Sequence, residues 1–334
     1  RSKTLGLLSG LLLAAAAGGS STAVQAADFT LKFGLVTRGD MQHVYADKLK
    51  EVLEAKTKGR IEVKVFPASQ LGTPSAQIEG MQLGTIEAFM VPSDFFVGVD
   101  SRFGVFSIPL LFKSREHTAA TVADPELNKY ILDIGEAKGL VGGAVANAAD
   151  AKYFAKKPIT KLDDFKGMKL RVNATPAERE RMKRFGATAV PMPLSEMLSS
   201  LQSGVIDGTM SGTSIFVSMK FNDVVKTVTV TNDTMLVAVA MVSKVWLDKL
   251  PPDLRKMVID VGHQTQARAH DWEIEFSKSL EKKWAEMGGQ MHMLPPDDLA
   301  KMRTLLQSVG DDVSKDQPAV LESLKTVRAV VAKH

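Results

Sequence analysis

Residues 158–212 read PITKLDDFKGMKLRVNATPAERERMKRFGATAVPMPLSEMLSSLQSGVIDGTMSG. Met168–Val172 predicts a strand that ends at Arg171 and Val172. Pro176–Phe185 predicts a helix, Ala189–Met192 a second strand and Ser195–Ser203 a second helix. The run Gly-Val-Ile-Asp-Gly at 204–208 closes the unit as a turn. This is a β-α-β-α pattern, and open α/β sheets bind ligands at the carboxyl ends of their strands.

The rest of the chain extends that pattern. Phe29–Val36 alternates as a strand, Gln42–Lys58 keeps an apolar helical face, and Ile61–Phe66 is a period-two strand stopped by Pro67. A helix from Thr73 to Leu83 and a strand from Glu87 to Val91 complete a β-α-β-α-β run, the mark of a parallel sheet. Ser114–Ile134 predicts helix interrupted at Asp124-Pro125. Leu140–Ala146 is a glycine-rich buried strand, and Asp150–Phe154 runs on as extended chain. Thr227–Thr231 and Leu236–Ser243 are β-branched strands, with the polar TNDT at 231–234 reading as chain that crosses back. From Pro251-Pro252 no helix breaker occurs until Gly288-Gly289. At 1.5 Å per residue that is a helix of roughly 54 Å, long enough to lean across two domains, and Gly262 marks a place for a bend. Helices from Pro295 to Val309 and from Gln317 to Ala332 end the chain.

Composition excludes several functions. The 334 residues suffice for two domains, with 45% hydrophobic and 24% charged residues. The net charge is +4, and Arg1 and Lys3 account for two of those charges. The remainder is near neutral, with no basic run for nucleic acid. There is no cysteine, which excludes disulfides and thiolate chemistry. Arg1 and Lys3, the apolar run Leu5–Ala17 and the small residues of Val24-Gln25-Ala26 predict a secretory signal peptide over residues 1–27. The mature chain is therefore expected in the periplasm.

No catalytic or metal pattern stands out. His263 and His270 are seven residues apart, not the i, i+4 pair of a zinc helix, and no G-x-S-x-G, P-loop or G-x-G-x-x-G occurs. We expect no enzyme activity, no metal and no cofactor. Arg171 is the strongest candidate, because a guanidinium at a strand end offers a carboxylate two parallel charge-assisted hydrogen bonds. Weaker candidates at strand ends are Thr37 and Arg38 after the first strand, Ser93 after the third, and Asn173 beside Arg171. Phe216 reads equally as a stacking platform or as core.

The segments IEVKVFPASQLG (61–72), MQLGTIEA (81–88), IPLLF (108–112), 158–172, 185–208, KFNDVVKTVTVTN (220–232) and KVWLDKLPPDLRK (244–256) carry a resemblance. The chain resembles the periplasmic solute-binding proteins of TRAP transporters, the DctP-like family. The resemblance implies an α/β, two-domain periplasmic-binding-protein fold with crossing strands and a long helix spanning both domains. On that expectation 28–148 plus 236–275 form domain I, and 149–235 plus 276–334 form domain II. It further implies capture of a small organic acid in the cleft, with Arg171 on its carboxylate, and delivery to TRAP membrane permease subunits by a monomeric receptor. Two other readings stand beside it: a receptor of an ATP-driven importer or sensor, and an exported enzyme on the same fold.

Departures from the family pattern fall at Asp150, where many relatives carry a second arginine, and at Ser211 and Gly212, where they carry asparagine and proline. Leu194 replaces a frequent aromatic residue. These changes argue against a dicarboxylate. They also lead to the expectation that Asp150 faces the cleft and pairs with ligand amine or hydroxyl groups.

Overall fold

The computed structural model describes residues 26–173 and 175–334, so the predicted leader falls almost wholly outside the described residues. Among the described residues eleven strands form two sheets. They are β1 (Phe29–Leu35), β2 (Ile61–Phe66), β3 (Ala88–Pro92), β4 (Leu140–Asp150), β5 (Lys152–Ala155), β6 (Lys169–Val172), β7 (Thr188–Pro191), β8 (Gly208–Ser211), β9 (Thr227–Val230), β10 (Met235–Ser243) and β11 (Gln290–Met293).

The first sheet has the order β2-β1-β3-β10-β4. β1 lies parallel to β2 and β3, as the β-α-β-α-β pattern predicts, and β10 runs antiparallel to β3 and β4. The helix Met41–Lys56 starts where Asp40 caps it, accepting a hydrogen bond from the His43 amide. Its Tyr45, Leu49 and Leu53 pack with Leu31 and Phe33 of β1 and with Val258 and Val261 of the long helix. Each such buried aliphatic side chain contributes about 1.5–3 kcal/mol of transfer free energy.

The second sheet has the order β11-β9-β5-β8-β6-β7. β6 is parallel to β7 and β8, while β5 is antiparallel to β8 and β9. The chain turns at 204–207, as the sequence predicts, and β8 begins at Gly208, the last residue of the predicted turn. A Cβ on its Gly208 would come within 2.4 Å of the Phe154 carbonyl oxygen, so this glycine serves close strand packing rather than a reversal. Phe216 is core. It is fully buried and stacks on Phe154 with ring centroids 3.8 Å apart, with Trp284 edge-on to both. It presents no face to a ligand.

Two backbone connections join the sheets. β4 passes into β5 through Ala151, and β9 returns to β10 through residues 231–234. The third connection is the helix Pro252–Glu286, 35 residues long. It packs on β4 and on the helix Met41–Lys56 at one end, and on the helix Thr213–Ser218 and β11 toward the other. It runs through Gly262 without interruption. A Cβ there would meet the Gly143 carbonyl oxygen at 2.7 Å, so Gly262 allows the helix to lie directly on β4.

Asp150 sits at this crossing and does not face the cleft. Its Oδ1 lies 2.5 Å from Arg115 Nη2 and its Oδ2 lies 2.6 Å from Lys152 Nζ. Both cations also reach Glu281 of the long helix, at 3.1 Å each. Burial alone would raise the Asp150 carboxyl, but Lys152 and Arg115 more than offset it and hold it below the usual carboxylate range. The position follows from the topology. Asp150 is the last residue of β4, so its side chain meets the helix that bridges the two sheets.

Candidate functional site

Arg171 is the third residue of β6, between β7 and β8, paired in register with Val190 and Thr209. The chain leaves β6 into a helix whose first turn is closed by a reciprocal cap. The Thr175 hydroxyl accepts from the Glu178 amide (3.1 Å), and the Thr175 amide donates to Glu178 Oε2 (3.2 Å). Glu178 Oε1 also accepts from the Asn173 amide at 3.3 Å. This ties the Asn173 amide to the start of the helix, while Arg171 is held within β6.

The guanidinium is 4% exposed. Its Nε donates to the Met192 carbonyl oxygen at 3.0 Å, but its buried Nη2 has no partner. No ion pair closes on it among the described residues. Burial pushes the Arg171 pKa down, and the negative charges of Glu178 and Asp94 partly offset that. A buried cation with an unused donor and no anion at contact is a costly arrangement, and an incoming carboxylate would relieve it.

Arg171 lines a cavity of about 50 Å³ between the two sheets. On the side of the second sheet its walls include Asn173, Leu194, Ser211 and Gly212. From the first sheet come Thr37, Asp40, Gln42 and Phe95. The cavity adjoins a groove of about 540 Å³, which shares Phe95 and Asn173 with it and adds Pro191 and Met192. Asn173 Nδ2 donates across the cleft to Asp94 Oδ2 at 2.8 Å. A Cβ on Gly212 would come 2.8 Å from that of Ala149, so the residue that departs from the family pattern is also one of close approach between β4 and the second sheet.

Of the residues singled out in the sequence, Arg171, Asn173, Ser211 and Thr37 converge on this cavity. Arg38 does not. The residue is exposed, while Thr37 beside it is turned inward. Ser93 is buried in a separate small space that it shares with Asp94, Ser107, Glu178 and Met235. Asp40, Gln42, Asp94 and Glu178 were missed. Asp40 carries a signal, since it stands three residues after Thr37 at the end of β1, but its capping role already accounts for an aspartate there. Gln42 lies in the first turn of an amphipathic helix and gives no signal.

Residues 34–316 match the model of the family described as bacterial extracellular solute-binding protein, family 7, DctP. The chain belongs to this family. The C4-dicarboxylate-binding periplasmic protein DctP of Rhodobacter capsulatus is 30% identical over 291 residues, covering 86% of each chain. The 2,3-diketo-L-gulonate-binding periplasmic protein YiaO of Escherichia coli is 29% identical over 303 residues, covering 90% of this chain and 92% of the relative. A crystal structure of a TRAP periplasmic solute-binding protein from Xanthobacter autotrophicus, with bound β-D-galacturonate, superposes with a TM-score of 0.82 at 25% identity. It covers 90% of this chain and 99% of that one. The mixed α/β architecture with two sheets is that of the TRAP solute-binding proteins.

In this solute-binding protein the cleft has a pH-sensitive member. Burial, aided by repulsion from Glu178, pushes the Asp94 carboxyl up to about 7, against the opposing effects of the Asn173 hydrogen bond and the Arg171 charge. The folded state therefore holds this proton more tightly than the unfolded chain. Between about pH 4 and 7 the folded state binds the extra proton, so stability falls as pH rises through that window. Burial raises Asp40 in the same direction. The melting temperature of the ligand-free protein is expected to fall from pH 5 to pH 8, and Asp94→Asn is expected to flatten part of that slope. Thermal unfolding followed across the pH range checks it. An unchanged slope in Asp94→Asn would assign the pH dependence to other groups.

Proposed function

We propose that this protein is the periplasmic receptor of a TRAP transporter, capturing a small organic acid whose carboxylate is bound by Arg171. It passes the acid to a membrane permease driven by an ion gradient. The observation that carries the reading is the buried guanidinium, whose free Nη2 lies in a cavity between the two sheets. Truncation of the cleft to about 50 Å³ supports capture by closure, because ligand pockets ordinarily measure about 300–1,000 Å³. On this reading the lobe built on the first sheet and the lobe built on the second move apart to admit the ligand, and the helix Pro318–Val331, expected with the second lobe, moves with the first, on whose segments Ser101–Ser107 and 115–133 it packs. The Asp94–Asn173 hydrogen bond across the cleft then belongs to the closed form. The test is to denature purified protein, identify any released acid by mass spectrometry, and return it to refolded protein by calorimetry. Binding at 100 times Kd should stabilise the fold by about 2.7 kcal/mol through mass action. Recovery of the acid unchanged separates a receptor from an enzyme. Failure of every organic acid to bind would overturn the proposal.

A further inference from the structure

The cleft offers a ligand one unused cationic donor and several unused acceptors. The donor is Arg171 Nη2; the acceptors are Gln42 Oε1, Asn173 Oδ1 and Asp94 Oδ1, all buried and without partners. The two amides are held in defined orientations. Gln42 Nε2 donates to Asp40 Oδ2 at 3.0 Å, and Asn173 Nδ2 donates to Asp94 Oδ2 at 2.8 Å. In its ionised form, which for Asp94 prevails above about pH 7, a carboxylate only accepts, so each amide turns its NH₂ toward the acid and its carbonyl oxygen the other way. Asp40 is itself held by the Thr37 hydroxyl and the His43 amide, which fixes the Gln42 pair from behind.

A buried acceptor without a donor is costly to leave unmade. A second carboxylate on the ligand could not satisfy these three atoms. It would also sit near Asp40, which lines the cavity, and Asp94, which lines the adjoining groove, with no cation but Arg171 among the lining residues. Hydroxyl groups along the ligand would satisfy them, each donating to one acceptor.

We infer that the cleft selects a polyhydroxylated monocarboxylate, a sugar acid of the aldonate or uronate type, and discriminates against dicarboxylates and against plain carboxylates of the same length. Gln42, Asn173 and Asp94 read the hydroxyls while Arg171 binds the acid group. This rests on the reading of Arg171 as the carboxylate anchor. It assigns hydroxyl recognition to residues quite apart from Asp150, whose charge is used between the sheets.

The test is calorimetry on the mature chain with galactonate, gluconate, galacturonate and glucuronate, set against succinate, fumarate and hexanoate. At least one hydroxy acid is expected to bind about 100-fold more tightly than succinate and hexanoate, since a site built to hydrogen-bond hydroxyls rejects analogues that lack them. Gln42→Met should weaken the preferred hydroxy acid about tenfold and leave hexanoate unchanged, while Asn173→Ala, which also removes the hydrogen bond across the cleft, should weaken the hydroxy acid about tenfold more than it weakens hexanoate. Two variants on opposite sides of the cleft guard against misfolding of either one. Succinate or fumarate binding as tightly as every hydroxy acid would overturn the inference, as would unchanged hydroxy-acid affinity in both variants. If a dicarboxylate wins and Arg171→Met abolishes it, the receptor reading survives and the sugar-acid selectivity falls. If no acid binds, both fall.

Discussion

Replacement of Arg171 by methionine is expected to abolish measurable binding of any organic acid and to leave the ligand-free protein at least as stable as wild type. The two halves of this result have one physical origin. In the ligand-free protein the guanidinium is buried and uses Nε on the Met192 carbonyl, while Nη2 has no partner. Glu178 and Asp94 act on it only at a distance. Methionine fills similar volume without a charge to desolvate, and such replacements of buried charge are neutral or stabilising by about 1–4 kcal/mol. In the complex the same change leaves the ligand carboxylate buried and unpaired. Truncating one partner of a desolvated charge pair costs about 2–5 kcal/mol, or roughly 30- to 5,000-fold in Kd. Calorimetry gives the affinity and thermal unfolding gives the stability. An unchanged Kd would remove Arg171 from the site. A large fall in the melting temperature of the ligand-free protein would make it a structural residue.

How far the cleft could be read from sequence depends on whether a residue's role is local. Arg171 could be singled out by its place near a strand end before a helix start, and the resemblance to the family, more than that position, made it the first candidate. The helix Pro252–Glu286 was legible because a long run without a breaker leaves no other conformation. Phe216 was not, since whether an aromatic residue on a short helix faces the core or the cleft depends on where Phe154 and Trp284 sit, and those are distant in sequence. The turn at 204–207 was legible, but Gly208 at its end was not told apart from it, because a glycine needed for close strand packing looks the same as a glycine that turns the chain. Asp40 and Gln42 were hidden by helix capping and helix amphipathicity, roles that already explain their residue types. Asp150 was misplaced because one of its partners, Arg115, comes from a helix distant in sequence, and the other, Lys152, though two residues away, is turned to it inside a network that Glu281 of the long helix completes.

That placement of Asp150 makes the other large prediction. Asp150→Ala should destabilise the protein by about 3–5 kcal/mol, the usual cost of removing one partner from a buried ion network, with a fall in melting temperature on the order of 10 °C. Lys152 is 2% exposed and would keep Glu281 as its anionic partner, which Arg115 also needs, beside a 3.5 Å hydrogen bond to the Thr213 hydroxyl. Because the folded-state pKa of Asp150 is depressed, its contribution is present above about pH 4 and lost as pH falls through that lower value. The difference between variant and wild type should therefore narrow in acid. Affinity for the ligand, measured below the unfolding range, should stay within about threefold, since Asp150 does not line the cavity and a shift under 0.7 kcal/mol is what an uncontacted residue leaves. A role in the cleft predicts the reverse, lost affinity at unchanged stability. The double variant Asp150→Leu with Lys152→Met separates charge balance from packing. It removes one anion and one cation together and leaves Arg115 paired with Glu281 alone. If unbalanced charge is the cause, it recovers most of the stability that Asp150→Ala loses. If it loses as much as the two single changes added together, the crossing is held by the packing of these side chains instead.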